Sequence, residues 1–308
     1  MPCYHPITAW RSKEVNESGK RSMVFNPRNA EQPDDPLDLP CGQCVGCRLE
    51  KSRQWAIRCM HESSMHEQNC FLTLTFDDDA LRDRGNVSVT RRDVQLFFKR
   101  LRKRTGVKLR YYYCGEYGDK SNRPHYHAII FGYDFPDKQL HSVSKNGEFR
   151  YYKSEECRLD WPYGNNIIGD VTFESAAYVA RYVMKKRTGK DAEEHEQYWR
   201  FDSETGEAYT VEPEFVGMSR RPGIGKTWFD KWKSDVYPND FCVLRGKEVR
   251  PPKYYDTLLE REDRFQMDDI KLARMEKALE FAEELTPDRL AAREKVKKIK
   301  IEKLVRTL

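Results

Sequence analysis

The clearest hydrophobic pattern in the chain has the two-residue period of β-strands. Phe71-Leu-Thr-Leu-Thr-Phe76 is a short β-branched and aromatic run, which predicts a strand over 71–76. Residues 109–114 are rich in aromatics and predict a second strand. Arg123-Pro-His-Tyr-His-Ala-Ile-Ile-Phe-Gly132 predicts a third, joined to the second by the turn cluster 118–124. Residues 166–173 supply another. Between the first two strands, Thr90-Arg-Arg-Asp93 starts a helix as a capping box with Asp in the usual Glu or Gln position. Val94, Phe97, Phe98 and Leu101 then share one helical face. Strand, helix, strand, strand is the order of an α+β fold with a ferredoxin- or RRM-like antiparallel sheet and flanking helices.

Helical periodicity frames this set. Residues 48–66 carry Leu49, Ala56 and Met60 on one side, with Trp55 packing, and residues 174–186 carry the apolar stripe Ala176, Val179, Ala180 and Val183. Residues 1–40 are polar and punctuated by Pro27, Pro33, Pro36 and Pro40, which predicts an irregular arm. Residues 133–165 resemble an insertion. Their Tyr151, Tyr152, Trp161 and Tyr163 lie among cations and suit either stacking on unpaired bases or a small satellite core. From about residue 256 the chain turns rich in Glu, Lys, Arg and Leu. Leu272, Met275, Leu279 and Ala282 predict a helix there, and Pro287 parts it from another at 288–306. The expected division is an arm with a Cys-rich knuckle and helix (1–66), the sheet domain (67–235) and a charged helical tail (236–308).

Composition narrows the class. The 308 residues are 38% hydrophobic and 34% charged, with a net charge of +5, so any case for nucleic acid rests on clustered cations rather than on the total. No apolar run approaches the ~20 residues of a membrane span, and Met1-Pro-Cys-Tyr-His-Pro lacks the apolar core of an export signal. Nine cysteines, an odd number, point to a reducing cytoplasm with thiols free or metal-bound.

Three constellations carry chemistry. On a strand, His125 and His127 share one face with Ile129 and Phe131. A strand pairing would bring Glu116 close to them, and two imidazoles with one carboxylate leave open positions on a divalent metal such as Mg²⁺ or Mn²⁺. Polar residues on a strand surface would look the same. On the helix at 174–186, Tyr178, Arg181, Tyr182 and Lys185 fall opposite the apolar stripe. Two phenols beside two cations are a doublet of possible nucleophiles; a tyrosine pair packed on a sheet is the plainer reading. Cys41-x2-Cys44-x2-Cys47 can form a zinc knuckle, with Cys3 as the leading fourth ligand and His5 or Cys59 behind it. Three free thiols at a helix start is the alternative. Further cations that suit a phosphate backbone are Arg100 and Lys103 on the helix after Thr90, and Arg220 and Arg221 in Ser219-Arg-Arg-Pro-Gly-Ile-Gly-Lys-Thr227. That last stretch is no phosphate loop of the ATPase kind, because Arg220 stands where the loop needs glycine.

Together, the TLTF strand, the His-Tyr-His strand and the Tyr-x-x-x-Tyr helix resemble, in that order, the HUH endonucleases, the rolling-circle replication initiators. Pro40-Cys-Gly-Gln-Cys-Val-Gly-Cys-Arg48, Gln54-Trp-Ala-Ile-Arg-Cys59, Tyr178-Val-Ala-Arg-Tyr-Val183 and Ser219-Arg-Arg-Pro-Gly-Ile-Gly225 are similar to the initiators of gokushovirus-type microviruses, over about residues 1–232. The resemblance implies metal-dependent nicking of single-stranded origin DNA through a 5′-phosphotyrosine. Tyr178 and Tyr182 would alternate, with Lys185 and Arg181 near the phosphate, in the cytoplasm of a bacterial host that lends its helicase and polymerase. A related transposase or relaxase, or a metal-stabilised DNA binder without catalysis, fits the same residues.

Overall fold

The computed structural model describes residues 3–17, 19–118, 121–185, 196–201 and 205–303; the side chains of 181–185, 197 and 282 lie outside the description. The chain divides into two compact units, residues 1–51 with 272–306, and residues 52–271.

In the first unit the expected irregular arm is a small antiparallel sheet, β1 (Ile7–Val15), β2 (Arg21–Val24) and β3 (Leu37–Leu39), in the order β2-β1-β3. Of β1 only Ala9 and Ser12 are buried. A sheet that buries so little shows almost no apolar alternation, so the prolines are the strongest local signal in that stretch. Helix α1 (Val45–Ser63) follows, its residues from Ser52 on belonging to the second unit.

The second unit is built on one seven-stranded antiparallel sheet. Its first strand is β4 (Asn69–Phe76). Asp77 then caps α2 (Asp78–Arg84), so the acidic run after β4 starts a helix. Thr90 caps α3 (Arg91–Thr105), its hydroxyl accepting from Asp93 N–H. Strands β5 (Arg110–Tyr117) and β6 (Pro124–Phe131) form the expected hairpin. Residues 133–165 hold β7 (Gln139–Val143), β8 (Arg150–Lys153) and α4 (Glu155–Asp160), and the chain returns through β9 (Gly164–Gly169) into α5 (Phe173–Lys185). The hairpin β10 (Trp199–Phe201) and β11 (Ala208–Thr210), strand β12 (Phe215–Met218) and helix α6 (Lys226–Val236) come next. A hairpin of β13 (Cys242–Leu244) and β14 (Lys247–Val249) leads into α7 (Lys253–Glu262) and α8 (Arg264–Leu279). The large sheet runs β12-β5-β6-β4-β9-β8-β7, so the insertion extends it rather than standing apart. The last helix is α9 (Pro287–Glu302), in the first unit.

The pleat sorts side chains to two faces. Leu72, Leu74, Tyr113, Tyr126, Ala128 and Ile130 enter the core that α3 fills with Val94, Phe97, Phe98 and Leu101. Each such large apolar residue, fully buried, contributes about 1.5–3 kcal/mol before chain entropy is counted. Trp161, Tyr152 and Tyr163 of the insertion belong to this same core, not to a satellite of their own. On the opposite face Phe71, Tyr112, Cys114, Ile129 and Phe131 pack against Ala56 and Cys59 of α1 and against Ala176, Val179 and Ala180 of α5. The helix stripe expected at 174–186 therefore faces the sheet; Val183, its last member, has its side chain outside the described ones. In the tail, Leu272, Met275 and Leu279 do lie on a helix, but all three are exposed.

Candidate active site and thiol cluster

Register builds the site. Glu116 pairs with His125 across β5 and β6, and Cys114 pairs with His127. On the other flank of β6, Thr75 pairs with His125 and Thr73 with His127. Both imidazoles thus share the face of Ile129 and Phe131, as alternation required. The residue between them is fixed in the opposite core: Tyr126 is buried, its hydroxyl donates to Asp93 Oδ2 at 2.6 Å and accepts from Thr90 N–H at 2.9 Å.

His127 is at the centre. Its Nε2 lies 2.7 Å from Glu116 Oε1, and both side chains are buried. Its Nδ1 lies 2.9 Å from Thr73 Oγ1. Its ring is parallel to Phe71, with centroids 5.9 Å apart, and meets the Tyr178 ring edge-on at 5.0 Å. His125 is half-buried, its ring centroid 6.4 Å from that of His127, with Nδ1 2.9 Å from Thr75 Oγ1. Burial first, then the neighbouring His127 and Arg123, push its pKa down to about 4. It is therefore neutral at pH 7, the form that ligates metal.

These residues suit a divalent ion in kind: two imidazole nitrogens and a carboxylate oxygen, with room at His125. The room comes from Gly118, where an added β-carbon would stand 2.9 Å from His125 Nε2. The three do not converge on one point as closely as ligands of a bound ion would. Among the described residues, the one group of three or more such ligands close enough to hold an ion as it stands is Cys3, Cys41, Cys44 and Cys47. Tyr178 joins the histidines through its contact with His127. Tyr182 follows one helical turn later, and its side chain, with those of Arg181 and Lys185, lies outside the described residues.

The thiol cluster is in the first unit. Its four Sγ atoms lie within 4.8 Å of one another; tetrahedral Zn–S bonds of about 2.3 Å would put them ~3.8 Å apart. Backbone N–H groups already point at the sulfurs: Tyr4 N donates to Cys44 Sγ at 3.3 Å, Cys41 N to Cys3 Sγ at 3.3 Å, and Cys44 N to Cys41 Sγ at 3.2 Å. Burial raises the Cys44 pKa, but donors from Tyr4 and Cys47 and the adjoining thiols outweigh it and bring the value down to about 6. Tyr4 and Leu290 of α9 pack with the cluster, in which Cys44 is buried and the other three thiols are half-buried. Of the other proposed fourth ligands, His5 is paired with Glu294 at 2.9 Å and Cys59 is in the core of the sheet domain.

The basic residues are dispersed. Arg100 is half-buried and donates to the Asp160 carbonyl and, at 2.8 Å, to the Tyr163 hydroxyl, whereas Lys103 is exposed. Arg220 and Arg221 are exposed on the loop after β12. That loop is held by Ser219 N–H on the Tyr111 carbonyl, by Arg110 on the Pro222 carbonyl, and by Gly225 N–H on the buried Glu62, which also pairs with Arg110. Thr73, Thr75, Gly118 and the Tyr126–Asp93 pair were not anticipated as parts of the site. The first two carried a signal: Thr-x-Thr and His-x-His have the same spacing.

A paired-histidine strand at the middle of an antiparallel sheet, with a tyrosine helix against it, falls within residues 69–187, which match the family described as "Replication-associated protein ORF2/G2P". The chain is 34% identical over 264 residues to replication-associated protein VP4 of Bdellovibrio phage phiMH2K, covering 83% of this chain and 76% of that one. It is 34% identical over 246 residues to replication-associated protein ORF2 of Spiroplasma virus 4 (76% and 72%) and 29% identical over 231 residues to replication-associated protein ORF4 of Chlamydia phage 1 (72% and 54%). The chain belongs to the microvirus replication-associated proteins, the replication initiators of these phages. No solved structure matches it. Among the described residues no helix is long and apolar enough to cross a membrane.

Proposed function

We propose that this initiator nicks and rejoins single-stranded origin DNA through a covalent 5′-phosphotyrosine. The observation that carries the reading is the placement of His127 between the Glu116 carboxylate, at 2.7 Å, and the Tyr178 ring, at 5.0 Å. His125, His127 and Glu116 would hold Mg²⁺ or Mn²⁺, which when bound would polarise a phosphate oxygen and supply several kcal/mol of transition-state stabilisation. Tyr178, whose ring meets that of His127, would bring its phenolic oxygen to the same phosphate. Its attack forms the Tyr–O–P bond, breaks the P–O3′ bond and leaves a 3′-hydroxyl for a host polymerase to extend. Tyr182, one turn on, would cleave the regenerated origin, and the freed 3′-hydroxyl would displace the first tyrosine and close a circle. Arg181 and Lys185 on the same helix would neutralise the phosphate, while Lys103, Arg220 and Arg221, with Arg100 in support, would meet the flanking backbone. Unwinding falls to a host helicase, in the bacterial cytoplasm. In the first unit, Cys3, Cys41, Cys44 and Cys47 would hold a structural Zn²⁺.

The test is purified protein with Mn²⁺ and origin oligonucleotides. A covalent adduct that survives denaturation and is lost in Tyr178→Phe/Tyr182→Phe supports the reading. Oligonucleotide left intact under all metals and sequences tried refutes nicking and leaves a DNA-binding protein. Strand transfer between two supplied ends as the principal product would mark a transposase or relaxase.

A further inference from the structure

The two threonines of β4 have no part in the nicking scheme, yet each faces one of its histidines. Thr73 and Thr75 lie directly across the ladder from His127 and His125. Each hydroxyl is 2.9 Å from the Nδ1 of its own imidazole. The intervening Leu74 and the flanking Leu72 and Phe76 enter the opposite core, so the strand cannot slip by one residue without taking them out of it. β4 lies between β6 and β9, which fixes its backbone from both sides. Threonine is also stiff at χ1. The hydroxyls are therefore held in place rather than free to wander.

A hydroxyl both donates and accepts, which a ring nitrogen needs if its proton is to move. With its proton on Nε2, His127 donates to Glu116 and its Nδ1 accepts from Thr73. For Nε2 to become a ligand the proton must sit on Nδ1, and the same Thr73 oxygen then accepts it. His125 has its Nε2 on the side kept open by Gly118, and Thr75 holds the far nitrogen.

We infer that Thr73 and Thr75 are positioning residues. Each accepts the Nδ1 proton of its histidine, so that both Nε2 lone pairs are aimed at one divalent cation. This rests on the proposed metal site at His125, His127 and Glu116. It makes the alternating threonines of the TLTF strand part of that site rather than strand formers alone.

The test titrates full-length protein with Mn²⁺, following free Mn²⁺ by electron paramagnetic resonance. The variants are Thr73→Val/Thr75→Val, Thr73→Ser/Thr75→Ser and His125→Ala, and thermal melting reports folding. Loss of such partners typically costs about 10- to 100-fold in metal affinity. The valine pair is expected to bind Mn²⁺ weaker by that factor with its melt retained, and the serine pair to return to within about threefold of wild type. Long-range ¹⁵N ring shifts of the wild type with diamagnetic Mg²⁺ should show Nδ1 protonated on both histidines. Should the valine pair unfold, the serine rescue and the ring shifts still decide. Wild-type Mn²⁺ affinity in the valine pair, with binding abolished in His125→Ala, or Nδ1 unprotonated in the Mg²⁺-bound wild type, overturns the inference alone. A wild type whose Mn²⁺ binding does not change in His125→Ala overturns the metal reading and this inference together.

Discussion

Gly118→Ala tests the site at the atom that matters most for His125. The added β-carbon would stand 2.9 Å from Nε2 and 3.3 Å from Cδ2 of that ring, where ordinary contact begins at 3.4 Å. The ring or the turn must yield by the difference, about 0.5 Å at the nearer atom. The ring cannot turn without cost, because its other nitrogen is 2.9 Å from Thr75 Oγ1. Gly118 is not among the residues with positive φ, so alanine meets no backbone strain there. Restricting the unfolded chain should return about 0.4–1 kcal/mol, which offsets part of the clash. The expected outcome is a melting temperature within a few degrees of wild type and Mn²⁺ affinity and adduct formation each lowered about 10- to 100-fold, or about 1.4–2.8 kcal/mol. Equal Mn²⁺ affinity and equal adduct rate in the two proteins would show that His125 Nε2 does not face an ion, and the ligand set would have to exclude it.

Three further outcomes follow from the same geometry. Tyr126→Phe strands the Thr90 N–H and removes one donor from Asp93, which keeps its contacts with Thr90 and Arg84; chemical denaturation should register a loss of about 1–3 kcal/mol, and no loss would mean that water replaces the hydroxyl. His61 is stacked on Trp228 and hydrogen-bonded to Tyr255, and burial lowers its pKa from 6.5 to about 4. The unfolded chain binds the extra proton in that window, so stability is full above pH 6.5 and falls as pH drops toward 4, by about 3 kcal/mol from this residue. Melting profiles against pH should show the fall, and His61→Gln should make it shallower by that share while leaving the part that His125 contributes in the same window. Purified protein should carry one Zn²⁺ per chain by elemental analysis; Cys44→Ser or strong chelation should release it and lower the melting temperature, whereas metal-free protein with an unchanged melt would leave the four thiols without a structural ion.

Where one face of an element is buried, its pattern survives in the sequence. Alternation along 71–76 and 124–131 put the histidines, Ile129 and Phe131 on one face, and the helical stripe from Ala176 to Ala180 identified the surface that α5 turns to the sheet. Where little is buried, the signal fades. β1 buries two of its nine residues and β7 none, so neither stood out from loop. The break between α7 and α8 at Asp263 has no proline or glycine to mark it. In the candidate site the neighbours joined by the hairpin were legible, because Glu116 and His127 are only 11 positions apart, whereas the threonine flank was not, because its pairing joins residues 50 positions apart, as Thr75 and His125 are joined.

That difference bears on how the motif strands work. Taken singly, a Thr-Leu-Thr run and a His-Tyr-His run are ordinary strand sequences. Paired antiparallel with Thr75 opposite His125, they place two hydroxyls behind two imidazoles, while Leu74 and Tyr126 lock the same register from the other face. A one-residue slip of β4 would lose both hydroxyl–imidazole contacts and turn Leu74 out of the core that α3 fills, so core packing and imidazole orientation are selected by one alignment. The stability of the sheet and the aim of the histidines are therefore not separable. Substitutions in the core facing α3, on the side away from Tyr178, should be felt at the site through strand register before they are felt as global unfolding.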